Sequence, residues 1–159
     1  MNCKSVEPEG LKRRPWRLVI EAALFLTVAA TAIAVLRFPR LARLASGRAG
    51  LMTFCADERF IGEIRRALDA ATRRLPFRTK CFERGLAAQW MLRRRGIDST
   101  LFYGAALETD GALSAHVWVR AGDIAVVGCE NASDYALLAC FPAENASAGH
   151  QVSRPRSMR

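Results

Sequence analysis

The chain has 159 residues, 51% of them hydrophobic and 25% charged, which excludes wholesale disorder and suits one domain with its own core. Lysine and arginine outnumber the acids 24 to 15, and the resulting charge of +9 suits an acidic partner without identifying it. No arginine cluster alternates with exposed aromatics as single-strand binders require, so nucleic acid is not an expected partner.

Residues 1–15 read as a flexible basic leader, with Pro8, Gly10 and Pro15 as breakers. Residues 16–45 hold an apolar helix and a connector. The helix runs through Leu18 to Leu36, with Lys12-Arg13-Arg14 before it and Arg37, Arg40 and Arg43 after it. That length just suffices to span a bilayer, and a charged start followed by an apolar run resembles a signal sequence. Glu21, Thr27 and Thr31 argue against spanning, and basic residues at both ends give no orientation. Two readings stay open: a helix packed on the domain or on a partner, and a helix in membrane contact. The small residues Ala29, Ala30, Ala32 and Ala34 permit close packing in either. Pro39 is expected to end or kink the helix, with a connector over 40–50.

The spacing of Phe60, Ile61, Ile64, Leu68 and Ala71 predicts a helix over Asp57 to Arg74, broken by Pro76. A second helix is expected from Lys80 to Arg95, where Phe82, Leu86 and Trp90 lie four apart. Gly96 suits its C′ position after three arginines. Beyond it the period becomes two. Ser99–Tyr103 and Ala115–Arg120 read as strands, Ala121-Gly122-Asp123 as a turn, Ile124–Val127 as the second arm of a hairpin, and Leu137–Phe141 as a last strand. Residues 143–159 are expected to fray. Helices first and strands after predict an α+β domain with an antiparallel sheet.

The cysteines are Cys3, Cys55, Cys81, Cys129 and Cys140; they are odd in number, and no pair has CxxC spacing. The histidines are His116 and His150 alone, so neither a structural zinc nor another cofactor is expected. Mostly free thiols fit a reducing compartment. Cys81 falls in the first turn of the second helix, just after Thr79, a permissible N-cap. Free N–H groups and the positive dipole end favour a thiolate there, with Lys80 and Arg84 close by. A buried structural cysteine is the commoner fate of that residue type. His116 sits in Ala115-His116-Val117-Trp118-Val119, where alternation puts His116 and Trp118 on one face. A lone strand histidine is more often structural, yet this is the one histidine in the expected core and could serve as base to a cysteine. A helix packed across the face that carries it would bring Cys81 within reach.

A third group should orient the imidazole. Counting along the hairpin puts the neighbour of His116 around Val127 to Cys129, and none of those is an acid. Glu130 is the nearest carboxylate and the choice adopted. Asp123 in the turn and Asp134 further along stay open, as does a site with no acid.

The run Cys81-Phe82-Glu83-Arg84-Gly85-Leu86-Ala87-Ala88, then Arg93-Arg94-Arg95-Gly96-Ile97, Tyr103-Gly104 and Ala115-His116-Val117-Trp118-Val119 resembles the lasso-peptide maturation proteases. These are transglutaminase-like bacterial proteins, among them the microcin-processing proteins. The likeness covers residues 57 to 141, and Phe38-Pro39-Arg40 is similar to a junction common in the family. It implies a papain/transglutaminase-like α+β fold, with N-terminal helices packed on a small antiparallel β-sheet and the protease domain over 46–142. It implies a cysteine endopeptidase that removes the leader from a ribosomal precursor peptide, with Cys81 as nucleophile and His116 as base. A separate leader-recognition protein and an ATP-dependent macrolactam synthetase are the implied partners, and the cytoplasm is the implied location. The family usually carries an aspartate where the hairpin count arrives at Gly128 and Cys129. Two other functions compete: an acyltransferase or transglutaminase of the same superfamily, and a non-catalytic, membrane-associated scaffold that works through the apolar helix.

Overall fold

The computed structural model describes residues 15–47, 57–109 and 111–142. The expected leader, apart from Pro15, and the tail over 143–159 lie outside the described residues, as do Cys3, Cys55 and His150.

Among the described residues, four helices precede four strands: α1 (Pro15–Val35), α2 (Phe38–Ser46), α3 (Glu58–Thr72), α4 (Cys81–Arg93), β1 (Thr100–Leu107), β2 (Leu113–Ala121), β3 (Ile124–Val127) and β4 (Ala136–Phe141). A single 3-10 turn, Ala132–Asp134, connects β3 to β4. The strands form one antiparallel sheet in the order β3-β2-β1-β4. The domain is therefore α+β.

The apolar helix α1 packs against α3 and α4. Leu18, Ala22, Leu26 and Ala29, spaced four, four and three residues apart, form its buried face. Burial of Leu18 and of Leu26 contributes about 1.5–3 kcal/mol each. Glu21 on the same helix is held by Arg95, whose guanidinium donates to its two carboxylate oxygens at 2.8 and 2.6 Å. The opposite face stays exposed and carries Trp16, Ile20, Leu24 and Val28. By length and composition this is a helix that could cross a membrane; one side of it is used for packing.

The stretch expected to be a connector is instead helical as far as Ser46. Pro39 stands in the first turn of α2, where a missing N–H costs nothing and the fixed φ suits the helix. Leu41 and Ala45 bury its inner face. Arg93 donates to the carbonyls of Leu44 and Ala45, closing the C-terminus of α2 onto α4. Burial lowers the Arg93 guanidinium to about 10 against the opposing pull of Asp98, which leaves it cationic at neutral pH.

Asp57 caps α3 by accepting the Arg59 N–H at 3.0 Å. Ile61, Ile64, Leu68 and Ala71 of the expected stripe are buried and Ala67 joins them, while Phe60 is only partly buried. After α4, Gly96 has φ +69, the left-handed conformation of a helix stop. Two buried clusters then fill the two sides of the sheet. Val117, Val119 and Leu101 join the helices in the larger, while Phe102, Trp118 and Cys140 form the smaller on the far face.

Candidate active site

Helix α4 opens at Cys81, and its cap differs from the one expected. Lys80 is the N-cap, and the buried Glu83 carboxylate accepts the Lys80 N–H at 2.8 Å. The Thr79 hydroxyl instead meets that of Thr72 at 3.5 Å. Cys81 is the first helical residue, so its backbone N–H has no intrahelical acceptor. Its half-buried thiol donates to the Ala115 carbonyl at 3.9 Å. Ala115 is the residue before His116 on β2.

One expectation is corrected here. Helix α4 does not cross the face of β2 that carries His116. It lies on the Val117 and Val119 face, where Gly85 leaves room for both valines. His116 and Trp118 project from the other face. Gly104, the cross-strand partner of His116, provides the gap there: a β-carbon on it would stand 2.9 Å from the Trp118 ring. The bulky indole therefore lies on the face away from the helices, buried with Phe102 and Cys140, and the two small branched side chains face the helix. The thiol meets the strand at its backbone, beside the histidine, and no hydrogen bond joins it directly to the imidazole.

The imidazole is held on its own account. Nε2 donates to the Gly128 carbonyl at 2.8 Å. The Tyr135 ring lies 4.8 Å from the imidazole, tilted by 31°, and Trp118 stacks at 6.1 Å. Tyr135 is itself tied to β2 by a 3.5 Å hydrogen bond between its hydroxyl and that of Ser114. Nδ1 makes no hydrogen bond among the described residues.

The three candidate acids fall in different places. Glu130 is exposed and lines a cavity of about 400 Å³ together with His116, Arg65, Asp69 and Arg84. The partner of Nε2 is the Gly128 carbonyl and not this carboxylate. Asp123 sits in the β2–β3 turn, where its backbone carbonyl accepts from Arg120 at 2.9 Å. Asp134 is exposed and accepts from the Ser133 hydroxyl at 3.4 Å. The hairpin count arrives at Gly128, and there it is the backbone carbonyl, not a side chain, that meets the imidazole.

Polar contacts tie the cavity wall together. Arg84 pairs with Asp69 at 2.5 Å, joining α4 to α3. Arg65 donates to the carbonyls of Val126 and Ala125 at 3.0 and 2.5 Å, joining α3 to β3. The other described thiols stand apart from this chemistry. Cys129 donates to the Val119 and Val127 carbonyls at 3.3 and 3.6 Å. Burial pushes its thiol up, partly offset by backbone hydrogen bonds, and burial also pushes up that of Cys140. Among the described residues no three His, Cys, Asp or Glu side chains gather to hold a metal.

A half-buried cysteine at a helix start and a histidine on the adjoining strand can, by residue type, supply a nucleophile and a base. A family model described as Transglutaminase-like superfamily matches residues 23–140, a stretch that begins inside α1, ends in β4 and contains both residues. No curated protein and no solved structure matches the chain.

Proposed function

The chain belongs to the transglutaminase-like superfamily, and from that premise we propose that it is a cysteine endopeptidase that removes the leader from a lasso-peptide precursor. The observation that carries the reading is the Cys81 thiol at the first residue of α4, 3.9 Å from the carbonyl that precedes His116. The motifs around both residues, and their likeness to the lasso-peptide maturation proteases, supply the substrate.

In this reading His116 takes the Cys81 proton and the thiolate attacks the carbonyl carbon at the leader–core junction. The thiol meets the Ala115 carbonyl before substrate arrives. The proton transfer therefore requires it to turn from that carbonyl to the imidazole in the complex, where catalytic hydrogen bonds commonly form. As the C–S bond forms, the carbonyl π electrons move onto oxygen, where the Cys81 N–H meets the negative charge. Collapse of the intermediate expels the core amine, which takes its proton from the imidazolium. Water, deprotonated by His116, then cleaves the thioester and frees the leader as a carboxylate. The core amine passes to an ATP-dependent macrolactam synthetase, and a separate recognition protein presents the leader. The exposed face of α1 is available to these partners or to a membrane surface.

The test incubates the full chain with a precursor peptide and its recognition protein and weighs the products by mass spectrometry. Cleavage that adds one water, and its loss in both Cys81→Ala and His116→Ala, is the expected result. A variant that cleaves at the wild-type rate would remove its residue from the mechanism. A product carrying the mass of an amine acceptor instead of water would make the protein an acyltransferase.

A further inference from the structure

We infer that the backbone carbonyl of Gly128 is the positioning group of His116, in the role an acidic side chain plays in a three-residue site. The meaning of that role rests on the peptidase reading; the geometry stands without it. A carbonyl oxygen can only accept, so the 2.8 Å contact requires the hydrogen to sit on Nε2. Nδ1 then carries the lone pair, and among the described residues nothing competes for it. Tyr135 and Trp118 hold the plane of the ring. The imidazole thus has one tautomer and one orientation, which are the two things a third member provides.

Position 128 is suited to this by having no side chain. Gly128 has φ +69, a conformation other L-residues rarely adopt. A β-carbon there would stand 2.5 Å from the Val117 carbonyl oxygen and 3.3 Å from His116 Nε2. A side chain would therefore move the accepting carbonyl, the ring or both. The register of β2 on β3 shifts between Val119 and Arg120, so that Val127 pairs with Val119 and Gly128 follows directly after that last pair. Glu130, two residues on, borders the cavity without taking part in the bond.

Nitrogen-15 spectra of the wild-type protein with labelled histidine test this without any cleavage assay. The expected result is a single neutral tautomer for His116, with an Nε2 proton slow enough in exchange to show its one-bond coupling. A proton on Nδ1, or an Nε2 proton lost to fast exchange, would overturn the inference. Gly128→Ala should erase that signal and lower kcat by about 10- to 100-fold with KM within about twofold, as when an orienting partner is removed. Glu130→Gln should leave the His116 signal unchanged. If Glu130→Gln alters the tautomer, the carboxylate and not the carbonyl is the positioning group. A wild-type protein with the expected spectrum and no peptidase activity would sink the proposed function and leave the Gly128 assignment standing.

Discussion

A β-carbon on Gly85 would stand 2.6 Å from Val117 Cγ1, so α4 seats on β2 only because position 85 lacks a side chain. Gly85 lies one turn beyond Cys81, and Val117 follows His116. The close approach of helix to strand therefore also sets the separation of the thiol from the strand that carries the imidazole.

Gly85→Ala should destabilise the protein by about 1–3 kcal/mol, the usual cost of forcing a methyl into a packed core. It should also lower peptidase activity beyond the loss of folded protein, because α4 must shift away from β2. Urea denaturation together with kcat of the folded fraction checks both; an unchanged midpoint would mean that the contact relaxes freely.

Glu21→Leu should cost about 2–4 kcal/mol by leaving the Arg95 guanidinium with the Met91 carbonyl but no carboxylate in a largely desolvated place. The two side chains are 13% and 18% exposed, so water replaces little of the lost interaction. Adding Arg95→Met should recover part of the loss, and a thermodynamic cycle over the four proteins measures how much.

Arg84→Met should change stability by less than about 1 kcal/mol, because its partner Asp69 and Arg84 itself are each more than a third exposed. Both side chains border the cavity beside His116. Its effect should therefore fall on KM for the precursor, rising severalfold while kcat holds. A fall in kcat at constant KM would argue against a binding role for this wall.

Burial raises the thiols of Cys129 and Cys140 above their ordinary value of 9.0. The unfolded chain then loses these protons at a lower pH than the native one does. Their contribution to stability is full below about 9 and declines as the pH rises through the raised native values. Iodoacetamide at pH 8 should modify both more slowly in the folded protein than in the unfolded chain, and unfolding midpoints should drop as the pH rises above about 9. Native labelling of either thiol as fast as in the unfolded chain would contradict the raised values.

Much of the fold is legible in side-chain periodicity. Ile61, Ile64, Leu68 and Ala71 mark the face of α3 that leaves water, and alternation through Ala115–Arg120 marks β2 as a strand, although Val117, Trp118 and Val119 are all buried there. α2 was hidden by Pro39, a residue that stops a helix in its interior but starts one in its first turn. The packing side of α4 was not legible either. It depends on Gly85 fitting two valines and on Gly104 yielding to an indole, which are matters of shape between distant segments.

The sequence by itself determined the α+β order, the placement of Cys81 at a helix start and of His116 on a strand, since local periodicity and capping chemistry act within a few residues. Only the tertiary structure decided that α4 covers the Val117 face, that the thiol approaches the strand at Ala115, and that the imidazole bonds a carbonyl. The physical reason is that every residue carries a carbonyl. Which one meets Nε2 is set by how the chain leaves β3 after Val127 and by the left-handed conformation at Gly128, and neither leaves a mark in the spacing of side chains.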